Sequence, residues 1–209
     1  INGDYVGLFS LVEQIDGRFT RQVFDDGRGN LYKEVWPTTW TGEPTPDDQL
    51  RAGLETNEDE NPTHEIIHGF GSALSAASTD DERRAVLERY LDIDEVLSYF
   101  VVERVIRHDD GASHFRCPAG ACFTHNFFWY ADPTAESLHL IPWDLDNAFS
   151  GIRPENRQPI LSLQDDFGEI QNDCEPYQTA FVQVWSAACD LVIGALADPV
   201  SYTHLRAHE

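Results

Sequence analysis

Several polar residues with the chemistry of a phosphate-handling site stand at the ends of predicted elements. His108-Asp109-Asp110-Gly111 follows an apolar helix, Asn126 opens an aromatic strand, and Trp143-Asp144-Leu145-Asp146 ends the next strand. A carboxylate can accept or align the proton of a hydroxyl group. Carboxylate and amide oxygens are also the ligands that Mg²⁺ prefers. These residue types predict a shared site for a hydroxyl group and a divalent cation. Their spacing is equally compatible with aspartates that only cap helices and turns.

A second motif predicts different chemistry. His64-Glu65-Ile66-Ile67-His68 has the spacing in which two histidines on one helix face bind zinc and the glutamate acts as general base. The extended form of that motif requires a third histidine where Leu74 stands, and Glu88 is the best placed substitute. We therefore keep a zinc metalloprotease as an alternative and expect a surface helix whose two histidines are exposed one turn apart.

Length and composition indicate one globular domain without a nucleic-acid partner. The chain has 209 residues, of which 41% are hydrophobic and 11% aromatic, enough to form a substantial core. Its formal net charge of −23 comes from 37 acidic and 14 basic residues. Such a surface disfavours nucleic acid, which is bound by clusters of Lys and Arg. No apolar run reaches the roughly 18 residues that a membrane span needs.

The four cysteines indicate an oxidising compartment. Cys117 and Cys122 enclose Pro-Ala-Gly-Ala, and Cys174 and Cys189 follow later in the chain. A four-thiolate zinc site normally uses tighter Cys-x-x-Cys pairs. The first spacing therefore favours a small disulfide loop over free thiols, which predicts an extracytoplasmic location.

Both ends of the chain have the character of a fragment. Asn2-Gly3 is a strong hairpin-turn signal whose first strand would lie upstream of Ile1. Residues 200–209 resemble a translated sequencing adapter. We expect residues 1–199 to be the native domain and residues 200–209 to be foreign to it.

Hydrophobic patterning predicts an α+β fold that positions these polar residues. Strands are predicted at residues 5–15 and 31–36, and a hairpin from residues 125–131 and 137–143. Helices are predicted at residues 64–77, from Thr79 with its capping box, at 93–107 and at 176–197. Residues 39–61 are predicted to be an exposed polar insertion with a short helix near Pro46.

One predicted helix leads directly to the acidic loop. This helix is predicted to begin at Asp92 or Asp94 and to run to about Arg107, and we expect Gly111 to stop it. Its predicted apolar stripe consists of Ile93, Val96, Leu97, Phe100, Val101 and Val105.

Five segments in their order resemble the CotH-type (spore-coat protein H) kinase family. They are NGDYVGLFSLVEQID, GNLYK, LDIDEVLSYFVVERVIRHDDG, HNFFWYADP and HLIPWDLDNAF. The similarity covers about Asn2 to Phe149, and IPWDLD after a His-Asn-aromatic strand is its most specific part. The resemblance implies a secreted or surface-associated atypical protein kinase. Its fold would be kinase-like, and the chain would contain the hinge strand and most of the mainly helical larger lobe.

The resemblance also implies a role for each polar residue of the site. Asp110, directly before Gly111, matches the catalytic aspartate, with Asp109 as the less favoured neighbour. Asn126 matches the asparagine that binds a metal ion. Asp144 and Asp146 match the acidic metal-binding turn. The implied cofactors are ATP with Mg²⁺ or Mn²⁺, and the implied partners are proteins with serine or threonine acceptors.

Two further residues are implied to lie near the nucleotide. Glu13 ends a strand where the chain enters the segment between the two lobes, and Lys33 matches the family's GNLYK. The chain departs from the family pattern in two ways. The Cys117–Cys122 loop lengthens the interval between Asp110 and Asn126, and the glycine-rich nucleotide loop with its lysine is expected upstream of Ile1. This fragment alone is therefore expected to be inactive.

Other motifs are assigned structural roles. Asp166-Phe167-Gly168 has the letters of a kinase metal motif but lacks a preceding catalytic loop, so we expect a surface turn. Residues 25–30 are expected to be a connecting turn, and the aromatic residues 127–130 are expected to be core. A non-catalytic coat or surface protein with a kinase-like shape remains a further alternative.

Overall fold

Helices dominate the described part of the chain, and two small sheets complete it. A computed structural model describes residues 12–60, 62–108, 110–149, 173–178 and 182–197. The helices in these ranges are α1 Gly17–Val23, α2 Asp47–Ala52, α3 Glu65–Ala76, α4 Asp80–Tyr90, α5 Ile93–Val105 and α6 Leu191–Ala197. The strands are β1 Asn30–Lys33, β2 Phe115–Arg116, β3 Phe127–Asp132, β4 Ser137–Pro142, β5 Tyr177–Gln178 and β6 Gln183–Trp185. The α+β prediction is confirmed.

The larger sheet has the antiparallel order β1-β3-β4. The predicted hairpin of β3 and β4 is confirmed, with Trp129 opposite Leu140. Every residue of β3 is buried, because the main core covers one face and a smaller apolar cluster covers the other. That smaller cluster is centred on Leu31, Phe128, Tyr130 and Ile141. The aromatic strand is therefore core, as predicted.

Several helix starts coincide with local signals in the sequence. Asp16 accepts hydrogen bonds from the N–H groups of Arg18 and Phe19 at the start of α1, a helix that we did not predict. Thr79 and Glu82 form the predicted capping box of α4. Pro46 precedes α2, close to the position predicted for a short helix.

Helix α5 differs from its prediction in both its buried face and its end. Val96, Phe100 and Glu103 are buried, whereas Val101 and Val105 of the predicted stripe are 52% and 76% exposed. A carboxylate therefore occupies the inward position one turn after Phe100. The helix ends before Arg107, whose φ is +53°, so the prediction that Gly111 stops it is wrong.

The predicted helix at residues 176–197 is wrong over its first half. Residues 177–178 and 183–185 are the strands β5 and β6, which form the second sheet with β2 in the order β2-β6-β5. Phe115 lies opposite Trp185 in that sheet. Asp190 then accepts hydrogen bonds from the N–H groups of Val192 and Ile193, and so begins the short α6. Tertiary pairing with β2 thus overrides the helical pattern.

All four cysteines form disulfides. Cys117 pairs with Cys122, as predicted, and Cys174 pairs with Cys189. Among the described residues, no helix has the length and apolar character that a membrane span requires.

The segment of residues 39–61 contributes to the core as well as to the surface. Leu50 and Leu54 are buried, and Leu54 forms a β-bridge with Tyr32. This packing against β1 was not expected from its polar composition. Residues 5–11 of the predicted first strand, Asp109, the motif Asp166–Gly168 and residues 200–209 lie outside the described ranges, and residues 12–15 have no regular secondary structure.

Candidate active site

The structure brings Asp110 and Asn126 into direct contact. The side-chain amide of Asn126 donates to the backbone carbonyl of Asp110 at 2.9 Å and to its carboxylate Oδ2 at 3.1 Å. Asn126 precedes β3, and Asp110 follows α5, so the contact joins the hairpin to the end of the helix. Two of the predicted site residues therefore share one site.

The acidic turn after β4 reaches the same carboxylate through a residue that we did not predict. Asn147 Nδ2 lies 3.4 Å from Asp110 Oδ2. The turn is tied at its start by a hydrogen bond from Trp143 N to the Asn126 carbonyl at 3.0 Å, and at its end by one from Phe149 N to the Ile106 carbonyl. The Trp-Asp-Leu-Asp turn is thereby held beside Asp110.

The carboxylates of that turn are themselves exposed. Asp144 has a left-handed backbone with φ of +47° and precedes a short 3₁₀ helix, Leu145–Asn147, which contains Asp146. Within the described ranges, neither the Asp144 nor the Asp146 carboxylate makes a hydrogen bond or an ion pair. Both are thus accessible to a ligand from solvent.

Arg116 provides a positive charge at the site. Its guanidinium lies 3.0 Å from Asp110 Oδ1, and the two side chains are 37% and 20% exposed. Asp110 therefore has a donor on each oxygen: Arg116 on Oδ1, and the two asparagine amides on Oδ2. The sequence offered no signal for this contact beyond the proximity of Arg116 to Asp110 in the chain.

Glu103 supports the acidic loop from inside the protein. Its carboxylate is 3% exposed and accepts hydrogen bonds from the N–H groups of Ala112 at 2.7 Å and Ser113 at 3.0 Å, both just beyond Asp110. The Tyr99 hydroxyl donates to it at 3.2 Å. A buried carboxylate thus supplies the acceptors that the N–H groups of this irregular loop would otherwise lack.

The surroundings of Glu103 keep it charged. Burial opposes ionisation, but the pKa of Glu103 is held below its ordinary value by the His108 side chain, by the charge of His114 and by the hydrogen bonds from Ser113. His108 Nδ1 lies 3.8 Å from Glu103 Oε1. Sequence reasoning missed Glu103, although it stands at helical spacing from Val96 and Phe100.

Glu34 supports Asn126 from the other side. Its Oε1 accepts a hydrogen bond from Asn126 N at 3.2 Å, and its Oε2 lies 3.4 Å from His125 Nδ1. Glu34, Asn126 and Asp144 all have left-handed backbones, with φ of +54°, +59° and +47°. Such conformations are uncommon outside glycine and concentrate at functional sites.

The described residues could bind a divalent cation whose remaining coordination positions are filled by phosphate oxygens or water. Because Asn126 Nδ2 donates to Asp110, the amide orientation directs Oδ1 away from that bond, as a metal ligand requires. No three His, Cys, Asp or Glu side chains in the described ranges are grouped so that they could hold a metal ion. Mg²⁺ commonly uses one or two carboxylates and takes phosphate oxygens or water for the rest.

The structure does not connect the two predicted nucleotide residues to this site. Lys33 ends β1 opposite Phe128 and is half-buried. Glu13 is exposed in an irregular segment. Among the described residues, neither makes an ion pair with Asp110 or Asn126. Their nucleotide contacts remain predictions.

The histidine motif does not form the exposed pair that we expected. His64 precedes α3 rather than lying on it, and it is only 9% exposed. The Tyr32 hydroxyl accepts a hydrogen bond from the Asn30 side-chain amide and is hydrogen-bonded to His64 Nδ1 at 2.9 Å. Burial lowers the pKa of His64. Of the two histidines, only His68 is exposed, because His64 packs against Tyr32 of β1.

The comparisons with known proteins agree with the earlier resemblance. No curated protein matches the chain. A family model described as CotH kinase protein matches residues 1–185, which include every residue of the site. This match, which spans most of the chain, shows that the chain belongs to the CotH kinase family.

Proposed function

We propose that this protein is an atypical protein kinase that transfers the γ-phosphate of ATP to serine or threonine hydroxyls of secreted or surface proteins. Membership of the CotH kinase family supports kinase activity. The observation that carries the proposal furthest is the convergence of Asp110, Asn126 and Asn147 from three separate segments. The two disulfides support function in an oxidising compartment.

Asp110 is the residue proposed to accept a hydrogen bond from the hydroxyl group of the protein substrate. A carboxylate has about four lone-pair positions. Arg116 uses one on Oδ1, while Asn126 and Asn147 approach Oδ2. The remaining position on Oδ1 would accept a hydrogen bond from a serine or threonine hydroxyl. That contact would orient the hydroxyl oxygen toward the phosphate.

Asn126, Asp144 and Asp146 are proposed to hold Mg²⁺ or Mn²⁺. Neutralisation of the nucleotide phosphates is the chemistry that a bound cation supplies. Asn126 contributes Oδ1, and the exposed turn contributes the two carboxylates. Since these carboxylates have no partner among the described residues, binding a cation breaks no existing ion pair there.

The test is phosphate transfer by the protein expressed from its complete gene, measured with radiolabelled ATP, Mg²⁺ and a serine-containing model protein such as casein. Asp110→Ala should lower kcat by about 10²–10⁴-fold with an unchanged melting temperature. Asp25→Ala removes an exposed aspartate from a distant turn and is the matched control. Undiminished transfer by Asp110→Ala would overturn the assignment.

The alternatives give different results in the same preparations. A wild-type protein that binds no nucleotide and transfers no phosphate would be a non-catalytic surface protein with a kinase-like shape. Stoichiometric zinc that is lost on His64→Ala would support the metalloprotease. The buried contact of His64 with Tyr32 argues against that result.

A further inference from the structure

Arg116 occupies a position from which it can control the orientation of Asp110. Its guanidinium is 3.0 Å from Oδ1, on the opposite carboxylate oxygen from the one that Asn126 contacts. An aspartate side chain has few rotatable bonds, so donors on both oxygens define its orientation. An ion pair that is still partly open to solvent adds little to the stability of a fold. The value of the contact therefore lies in geometry.

The backbone of Arg116 is held by a covalently closed hairpin. Arg116 and Phe123 exchange two backbone hydrogen bonds, each 2.9 Å long. The next residue, Cys117, forms the disulfide with Cys122, which closes the loop directly beyond that pair. On its other side, Arg116 of β2 lies opposite Val184 of the antiparallel strand β6. Without the disulfide, only noncovalent contacts would keep the loop folded.

We propose that Arg116 is a positioning residue for Asp110, and that the Cys117–Cys122 disulfide holds Arg116 in place for this role. The disulfide loop lies in the interval between Asp110 and Asn126, where it lengthens the connection between the two residues. Its closure turns the chain back so that Arg116 faces the Asp110 carboxylate. Oxidation of the loop would then be required for full phosphate transfer. The kinetic part of this inference rests on the proposed function, whereas the geometric part does not.

Kinetics of Arg116 variants test the positioning role. A displacement of about 1 Å in a reacting group costs on the order of 10²-fold in rate. Arg116→Gln should therefore lower kcat by about 10–10²-fold with little change in KM for the protein acceptor. Arg116→Lys keeps the charge but loses the planar fork, and should recover part of kcat. Arg89→Gln breaks the exposed pair with Glu136 and is the matched control.

The outcomes separate positioning from a structural or binding role. A rise in KM with unchanged kcat would assign Arg116 to acceptor binding, and wild-type kcat in Arg116→Gln would remove it from the site. A lowered melting temperature that accounts for the whole loss would also overturn the proposal.

Paired cysteine variants test the role of the disulfide. Cys117→Ser with Cys122→Ser should lower kcat about as much as Arg116→Gln does. The same change at Cys174 and Cys189 opens the other disulfide and is the control. If the loop acts through Arg116, adding Arg116→Gln to the opened loop should cause little further loss. Losses that multiply would show two independent effects and contradict the proposal.

An activity-independent measurement completes the test. NMR of the Asn126 side-chain amide reports its hydrogen bond to Asp110. We expect the Asn126 Nδ2 resonances to shift in the same direction in Arg116→Gln and in the opened loop, and to stay in place in Arg89→Gln. Unchanged resonances would overturn the positioning role. The expected shift in a protein without phosphate transfer would uphold it and reject the proposed function.

Discussion

The two acidic turns of the candidate site differ in how firmly the protein holds their carboxylates. Asp110 is contacted by Arg116 and by two asparagine amides, and the buried Glu103 binds the backbone just beyond it. Asp144 and Asp146 project into solvent. Their turn is tied through the backbone N–H groups of Trp143 and Phe149 and through the Asn147 side chain, but not through these two carboxylates.

This difference corresponds to two kinds of task. A residue that aligns a hydroxyl must be oriented before the substrate arrives, because misalignment costs rate directly. Residues that share a cation with nucleotide phosphates can be ordered by those ligands when they bind. Changes to the residues that support the Asp110 loop from inside should therefore lower stability even without ligand, whereas changes at the second turn should be visible only with ligand present.

The largest expected effect on stability is that of Glu103→Ala. This change leaves the N–H groups of Ala112 and Ser113 and the Tyr99 hydroxyl without their acceptor. We expect the free energy of unfolding, measured by urea denaturation, to fall by about 3–5 kcal/mol, as for other broken buried charge networks. Glu88→Ala, at an exposed position of α4, is the control and should change it by less than about 0.5 kcal/mol. Equal losses would show that Glu103 has no special role.

Gly111→Ala should have the next largest effect. A Cβ at this position would overlap Glu103 Oε1 and lie 2.7 Å from His108 Nδ1. Overpacking of this kind costs about 1–3 kcal/mol in the free energy of unfolding. Gly17→Ala is the control, because its nearest new neighbour is the flexible end of Arg21, 3.1 Å away. A fully stable Gly111→Ala protein would contradict the close packing of this loop on Glu103.

The charge of Glu103 predicts a pH dependence of stability. Its pKa in the folded protein lies below the ordinary value of 4.5. The contribution of the Glu103 charge to the free energy of unfolding is therefore fully present above pH 4.5. It is lost as the pH falls through the lower pKa of the folded state. Urea denaturation from about pH 7 down to about pH 3 should show a decline that is shallower in Glu103→Gln. A decline of identical steepness in both proteins would argue against a charged Glu103.

The smallest expected effect on stability is that of changes in the second turn. Asp144→Asn keeps a residue type that tolerates the left-handed backbone, and Asp146→Asn keeps the shape of an exposed side chain. Each should change the free energy of unfolding by less than about 0.5 kcal/mol without ligand. With Mg²⁺ and nucleotide, the melting temperature of the wild type should rise, and each of these variants should show a smaller rise. A loss of stability without ligand would remove the contrast between the two turns.

Local signals in the sequence were sufficient for several elements. The capping box at Thr79, the apolar runs of β3 and β4 on either side of a turn signal, and the cysteine spacing around residues 117–122 each involve residues close together in the chain. The structure confirms all three. These features succeed because their energetics depend mainly on near neighbours.

Predictions that depended on distant neighbours were less successful. Residues 177–178 and 183–185 form strands because β2 is available to pair in their sheet, and His64 is buried because its ring contacts Tyr32. The inward face of α5 was misplaced, because Val101 and Val105 match a core residue in hydrophobicity while Glu103 does not. A buried carboxylate becomes favourable only when folding supplies its donors.

The sequence by itself determined the residue types of the candidate site, their order along the chain and the family to which they belong. Tertiary structure alone decided that Asp110 meets Asn126, that Asn147 and Arg116 complete its contacts, and that Glu103 holds the loop from within. The physical reason is that the types of donor and acceptor are local properties of residues. Whether a donor faces an acceptor depends on how helices, strands and a disulfide-closed loop pack together.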